Sequence, residues 1–226
     1  MADVFEERIA QEAHLYADVF LPDDVARPPL VIALHGYGGD KVSMMKLARR
    51  IFRDELAIAS LQGPHPHVIY PKDRSQPLGF GFGWVTNFRP EESIALHHAA
   101  IRELLARLDA RGAIDPARIF MLGFSQSVAV NFRFAFTHPE LVRGVVGICG
   151  GIPGDWDGSG KYRKGDFDVL VVGGSRDEFY PPERVRANAG KLGERARAVE
   201  TLILEAGHEI PPGAPAPIHD WVRQRI

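Results

Sequence analysis

Short continuous runs of apolar residues alternate along the chain with longer stretches of helical periodicity. This rhythm predicts strands at Leu30 to Leu34, Ala57 to Leu61, Ile119 to Leu122, Val142 to Cys149, Val169 to Val172 and Thr201 to Leu204. Helices are predicted from Lys41 to Glu55, Pro90 to Arg111, Gln126 to Thr137, Pro182 to Arg195 and Pro215 to Arg225. Strands that are apolar throughout, instead of every second residue, must be buried on both faces. They therefore predict an α/β fold with a mainly parallel central sheet and helices on both sides. Ala13 to Leu21 alternates well enough for an edge strand or hairpin arm before Pro22. Asp115-Pro116 reads as the turn ahead of the Ile119 strand. Two irregular insertions, Pro64 to Asn87 and Gly150 to Gly165, are predicted as loops on the face where the strands end. No repeat, low-complexity tract or linker divides the sequence, so one domain over residues 1–226 is expected, without a large cap.

Composition narrows the classes of function. Lys and Arg number 27 against 29 Asp and Glu, a formal charge of -2, which leaves no basic field to hold nucleic acid. The opening Met1-Ala2-Asp3-Val4-Phe5-Glu6-Glu7-Arg8 lacks a basic start and an apolar core, and no apolar run approaches the length of a membrane span. A cytoplasmic protein is the resulting expectation. The single cysteine, Cys149, falls in a buried-strand pattern and reads as core, not as a nucleophile.

Candidate chemistry sits where the predicted strands end. Ile119-Phe120-Met121-Leu122-Gly123-Phe124-Ser125-Gln126-Ser127 is an apolar strand that breaks at a Gly-x-Ser-x-small turn and enters a helix. Such a turn forces the residue at the bend into a strained conformation with its side chain standing clear, which nominates Ser125 as a nucleophile. Small neighbours are required, and Ser127 occupies the position that is most often glycine. A nucleophilic serine needs a base, and the base an orienting acid, in the chain order Ser, Asp or Glu, His. Asp168-Val169-Leu170-Val171-Val172-Gly173-Gly174-Ser175-Arg176-Asp177 delivers Asp177 just past a strand end, with Glu178 as its competitor. Glu200 to Leu204 leads through Glu205-Ala206-Gly207 to His208, the candidate base, which is preferred over His219 in the closing helix. Upstream, Leu30 to Leu34 ends in His35-Gly36-Tyr37-Gly38-Gly39-Asp40, a turn that can aim a backbone N–H at a reacting carbonyl. The N–H groups of Tyr37 and Gln126 are the candidate oxyanion donors, and His35 reads as the anchor of that loop.

Leu34-His35-Gly36-Tyr37-Gly38-Gly39-Asp40, Gly123-Phe124-Ser125-Gln126, Gly173 to Asp177 and Ala206-Gly207-His208 together resemble an α/β-hydrolase. The resemblance is to the small phospholipase/carboxylesterase group that includes acyl-protein thioesterases, and it spans nearly everything from Leu30 onward. It implies a serine hydrolase acting on small-molecule carboxylic esters or thioesters, without a metal or organic cofactor. The Phe-Ser-Gln core is the most specific piece. Where that family usually continues Gln-Gly-Gly, this chain has Gln126-Ser127-Val128.

Two other functions share the same residues: a ligand-binding protein that has lost efficient turnover, and a peptidase or amidase. A dienelactone-type hydrolase is disfavoured because its nucleophile is cysteine. Aromatics in the two insertions, Phe80, Phe82 and Trp84 and then Trp156 and Tyr162, either line an acyl pocket or pin the loops to the scaffold. Trp84 is the first candidate for substrate contact, and Phe179 and Tyr180, beside the acid, come next. The substrate itself and the oligomeric state are left open, with a homodimer among the alternatives.

Overall fold

The computed structural model describes residues 3–10, 13–23, 25–71, 73 and 75–226. Its main sheet has seven strands, β1 (Ala17–Phe20), β2 (Leu30–Leu34), β3 (Ala57–Leu61), β6 (Ile119–Phe124), β7 (Gly144–Ile148), β8 (Asp168–Gly174) and β9 (Ala198–Leu204), in the order β1-β3-β2-β6-β7-β8-β9. Only β1 runs antiparallel, pairing with β3 at the edge; the other neighbours are parallel. The helices are α1 (Lys41–Phe52), α2 (Pro90–Ala110), α3 (Gln126–Thr137), α4 (Pro182–Gly193) and α5 (Pro215–Arg223).

The pleat divides the core in two. Leu30, Ile32 and Leu34 of β2 face one layer with Ile101 of α2, Phe132 of α3 and Val185 of α4. Val31 and Ala33 face the other, with Met44, Ala48 and Ile51 of α1 and Ile218 and Trp221 of α5. Successive residues therefore both need to be apolar, which is why the strands read as continuous runs. This is the mainly parallel sheet with helices on both faces that the sequence predicts, and no large cap is present among the described residues.

Several boundaries differ from the sequence reading. Helix α1 stops at Phe52 because Arg53 and Asp54 adopt left-handed φ of 51° and 60°. Strand β7 stops before Cys149, whose φ of 47° turns the chain out of the sheet. Strand β6 runs on through Phe124, because Gly123 and Phe124 still pair with Gly147 and Ile148.

The segment Pro64 to Asn87 is not an irregular loop. It forms an antiparallel hairpin of β4 (His65–Ile69) and β5 (Gly79–Gly83). Strand β5 lies against the loop after β2, with Gly38 N–H donating to Phe82 O at 2.9 Å and Phe82 N–H to Gly39 O at 3.1 Å. A Cβ on Gly81 would stand 2.7 Å from Gly38 Cα, so the close approach of the two backbones requires glycine there. Gly150 to Gly165 is a connection whose aromatics are interior: Trp156 and Tyr162 stack at 5.0 Å, Trp156 meets Phe136 edge-on, and both are buried. These rings hold the loop to α3.

Candidate active site

The strand order reverses at β2. The chain steps to β3 on one side of it and resumes at β6 on the other, leaving a crevice at the C-terminal ends of β2 and β6. The loop carrying Tyr37 follows β2, and Ser125 follows β6. The adjoining strands β8 and β9 deliver Asp177 and His208 to the same edge of the sheet.

Ser125 sits at the bend between β6 and α3 with φ 55° and ψ -116°. A non-glycine residue held there costs roughly 1–3 kcal/mol, recovered from the packing on either side of it. Its N–H donates to Ile148 O at 2.9 Å and its carbonyl accepts from Val128 N–H at 3.1 Å, which fixes the bend from both directions. A Cβ on Gly123 would stand 2.8 Å from Asn131 Nδ2 and 3.2 Å from the Ser127 carbonyl carbon, so a side chain two residues before the serine would press on buried Asn131 and on the first turn of α3. Ser127 has the opposite character. Its hydroxyl is fully buried, donates to Leu34 O at 2.8 Å and accepts from Phe124 N–H at 2.9 Å. The residue that departs from the usual glycine thus links the end of β2 to the end of β6 beneath the bend.

Ser125 Oγ lies 2.9 Å from His208 Nε2, and His208 Nδ1 lies 3.0 and 3.1 Å from the two carboxylate oxygens of Asp177. Asp177 Oδ1 also accepts the backbone N–H groups of Phe179 and Tyr180 at 2.9 and 3.0 Å. Burial favours the protonated form of this carboxyl, but the bonds from His208, Tyr180 and Phe179 outweigh it and hold Asp177 below the ordinary carboxylate value. The acid is therefore anionic at neutral pH and faces the imidazole. The imidazole lies among rings: Phe124 at 5.4 Å, Phe179 edge-on at 4.8 Å and Tyr180 stacked at 5.9 Å.

The N–H groups of Tyr37 and Gln126 have no hydrogen-bond partner among the described residues. Their carriers are held in place by the hairpin. Gln126 Oε1 accepts Trp84 N–H at 2.8 Å, and its Nε2 donates to Val85 O at 3.1 Å. The Trp84 indole donates to His35 O at 2.8 Å. His35 is buried, with Nδ1 donating to Gly36 O at 2.7 Å and Nε2 accepting Gly63 N–H at 2.9 Å, and burial lowers its pKa from the usual histidine value. It anchors the loop as a neutral side chain.

The competitors lie elsewhere. Glu178 points into solvent, and His219 is buried on α5 beside Glu55 and Asp220, away from the strand ends. Trp84, expected against substrate, is only 2 % exposed and lies beneath the loop that it pins. Phe179, at 62 % exposure, and the half-buried Tyr180, the other candidates for substrate contact, lie against the His208 ring. Cys149 is buried, donates to Glu209 O at 3.1 Å, and has its thiol pushed up to about 12 by burial and the neighbouring Asp177 carboxylate, so no thiolate nucleophile forms at neutral pH. His67, which stacks on Tyr37 at 4.3 Å, carries no motif that would have drawn notice in the sequence. The described residues hold no cluster of His, Cys, Asp and Glu suited to a metal ion, and no described helix is long and apolar enough to cross a membrane.

The structure is similar to a carboxylesterase of Bacillus cereus, with a TM-score of 0.75 at 17% identity, covering 95% of this chain and 96% of that one; the likeness shows the fold. In sequence the chain is 25% identical over 162 residues to NocK, a candidate esterase of Nocardia uniformis subsp. tsuyamanensis, covering 68% of this chain and 41% of that protein. It is 31% identical over 135 residues to the lasso peptide isopeptidase AtxE2 of Asticcacaulis excentricus, covering 55% of this chain and 18% of that protein. The chain thus matches less than half the length of these curated relatives. The sequence pattern that defines phospholipases and carboxylesterases matches residues 16–212, and on that extent the chain belongs to the phospholipase/carboxylesterase family.

Proposed function

We propose that the protein is a serine hydrolase that cleaves carboxylic ester or thioester bonds through Ser125, His208 and Asp177. The observation that carries this reading is the continuous contact from Ser125 Oγ to His208 Nε2 at 2.9 Å and from His208 Nδ1 to Asp177 at 3.0 Å. His208 takes the Ser125 proton as the oxygen attacks the acyl carbon, and Asp177 stabilises the imidazolium that forms. The negative charge that develops on the carbonyl oxygen is met by the N–H groups of Tyr37 and Gln126, the latter at the first turn of α3, where the helix dipole adds to the field. His208 then gives its proton to the departing alcohol or thiol, which leaves an acyl group on Ser125. Water attacks that ester with His208 again as base, releasing the acid and restoring the serine. Phe179 and Tyr180 border the acyl side. No step calls on a metal or an organic cofactor.

An amidase reading shares every one of these residues, and the similarity to an isopeptidase supports keeping it as the second. A panel of aryl esters and matched anilides separates the two. Ester turnover that depends on Ser125 supports the first reading; faster cleavage of the anilides supports the second. No turnover of either class leaves only a binding role.

A further inference from the structure

On the α1 side of the sheet, lined in part by the residue that precedes Ser125, is an open cavity of about 240 Å³ that none of the steps above uses. Its walls are Met44 and Leu47 of α1, Phe124 and Ile210, and its rim is Gly36 and Tyr37. The location is specific. Phe124 immediately precedes Ser125 and its ring lies 5.4 Å from that of His208, Ile210 is two residues beyond His208, and Tyr37 carries a proposed oxyanion donor. The two polar side chains on the wall are already engaged: His35 by Gly36 O and Gly63 N–H, and Ser43 Oγ by Asp40 O at 2.9 Å. The surface that remains is hydrocarbon, so an alkyl or aryl group gains by entering and a charged or hydroxylated group does not.

The geometry points to this cavity as the subsite for an apolar leaving group of the ester. The inference rests on the hydrolase reading and adds the side of the substrate that it serves. Once the carbonyl oxygen faces the Tyr37 and Gln126 N–H groups, the acyl carbon has two remaining substituents, and the leaving oxygen must be the one beside His208 Nε2, which protonates it. Phe124, whose ring lies against that of His208, and Ile210 belong to the core layer on the α1 side, while Tyr180 packs into the opposite layer, where a Cβ on Gly151 would fall 2.9 Å from its ring. At roughly 30 Å³ for each small heavy-atom group, the volume of about 240 Å³ has room for about eight such groups, enough for the whole of a hexyl chain. The preferred substrates are then esters of medium-length or aromatic alcohols or thiols, not esters of polyols.

Two ester series test this on the intact protein: acetates of ethanol, butanol and hexanol, and ethyl esters of acetic, butyric and hexanoic acid. In the parent protein kcat/KM should rise along the alcohol series, by up to about fourfold for each methylene taken in. Leu47→Trp, which fills the cavity from a position outside the catalytic residues, should lower kcat/KM for hexyl acetate by about tenfold or more. It should leave ethyl acetate and the acyl series within about twofold. Leu47→Ala, which enlarges the cavity and carries no risk of overpacking, should shift the preference to longer alcohols. Unchanged alcohol preference in both variants, or a change confined to the acyl series, overturns the subsite and leaves the hydrolase reading intact. Absence of turnover for every ester in the parent protein overturns that reading and the subsite with it.

Discussion

Ser127→Ala separates the two serines of the bend by what each does. Ser127 Oγ is fully buried, gives its proton to Leu34 O at 2.8 Å and accepts Phe124 N–H at 2.9 Å. Alanine leaves the Phe124 donor without that partner and deprives the Leu34 acceptor of one, at the point where β2 and β6 end. An unsatisfied buried donor or acceptor costs about 1–3 kcal/mol, and little offsets it, because the methyl group fills less of the space than the hydroxymethyl did. For a chain of this size each kcal/mol corresponds to about 2–4 °C in Tm, so the variant should melt several degrees below the parent, provided unfolding is reversible and two-state. Urea denaturation followed by circular dichroism gives the free energy directly, with m unchanged if only the native bend is affected. Activity should fall by no more than about tenfold, because no proton transfer involves Ser127. Ser125→Ala should do the reverse, with stability nearly unchanged because alanine keeps the Cβ that the bend already carries, and kcat reduced by on the order of 10³-fold or more. Two results refute this reasoning: a Ser127→Ala protein as stable as the parent, or one that has lost turnover while Ser125→Ala retains it.

Asp177→Asn keeps the shape of the acid but removes its charge and allows the wrong imidazole tautomer, so kcat should fall by on the order of 10³–10⁴-fold with KM little changed, read from steady-state kinetics on an aryl ester. Trp84→Phe retains the ring but removes the indole N–H from His35 O; thermal unfolding should show a loss of about 1–3 kcal/mol, and kcat should fall more than KM changes as the Tyr37 donor loses its support. Asp168 is paired with Arg197 at 2.8 Å and Arg225 at 2.6 Å, and although burial opposes ionisation these bonds hold its carboxyl below the ordinary value of 3.8. A lowered folded-state pKa stabilises above the unfolded value and is lost as pH falls through the folded one. Asp168→Asn should therefore cost about 2–4 kcal/mol at pH 7, less than for a wholly buried pair because Arg197 is partly exposed, and the gap to the parent should close below about pH 4 in urea titrations.

The central parallel strands are legible because burial on both faces makes them almost wholly apolar, and the bend at Ser125 announces itself by a glycine and a strand-to-helix transition. Asp177 and His208 could be read for the same reason, since each follows a strand through a glycine turn to the edge where such folds gather their reactive groups. The hairpin was not legible. Gly79, Gly81 and Gly83 alternate with Phe80 and Phe82, and glycine in a run argues against a strand unless another backbone must lie close, a condition visible only once Gly38 is seen against Gly81. Trp84 was misplaced on the same account: an aromatic among glycines looked like a pocket wall, whereas its N–H groups tie the loop of His35 to Gln126. The reason for a serine at position 127, where glycine is usual, is not legible because its partner, Leu34 O, lies far upstream in the sequence.

The most direct measurement is to treat the protein with a fluorophosphonate and locate the adduct by peptide mass spectrometry. A single adduct on Ser125, formed by the parent and lost or greatly slowed in His208→Ala, is the predicted result. Ester turnover that persists with no label on Ser125, or a label on Ser127 or Cys149 in its place, would contradict the covalent route through Ser125, His208 and Asp177.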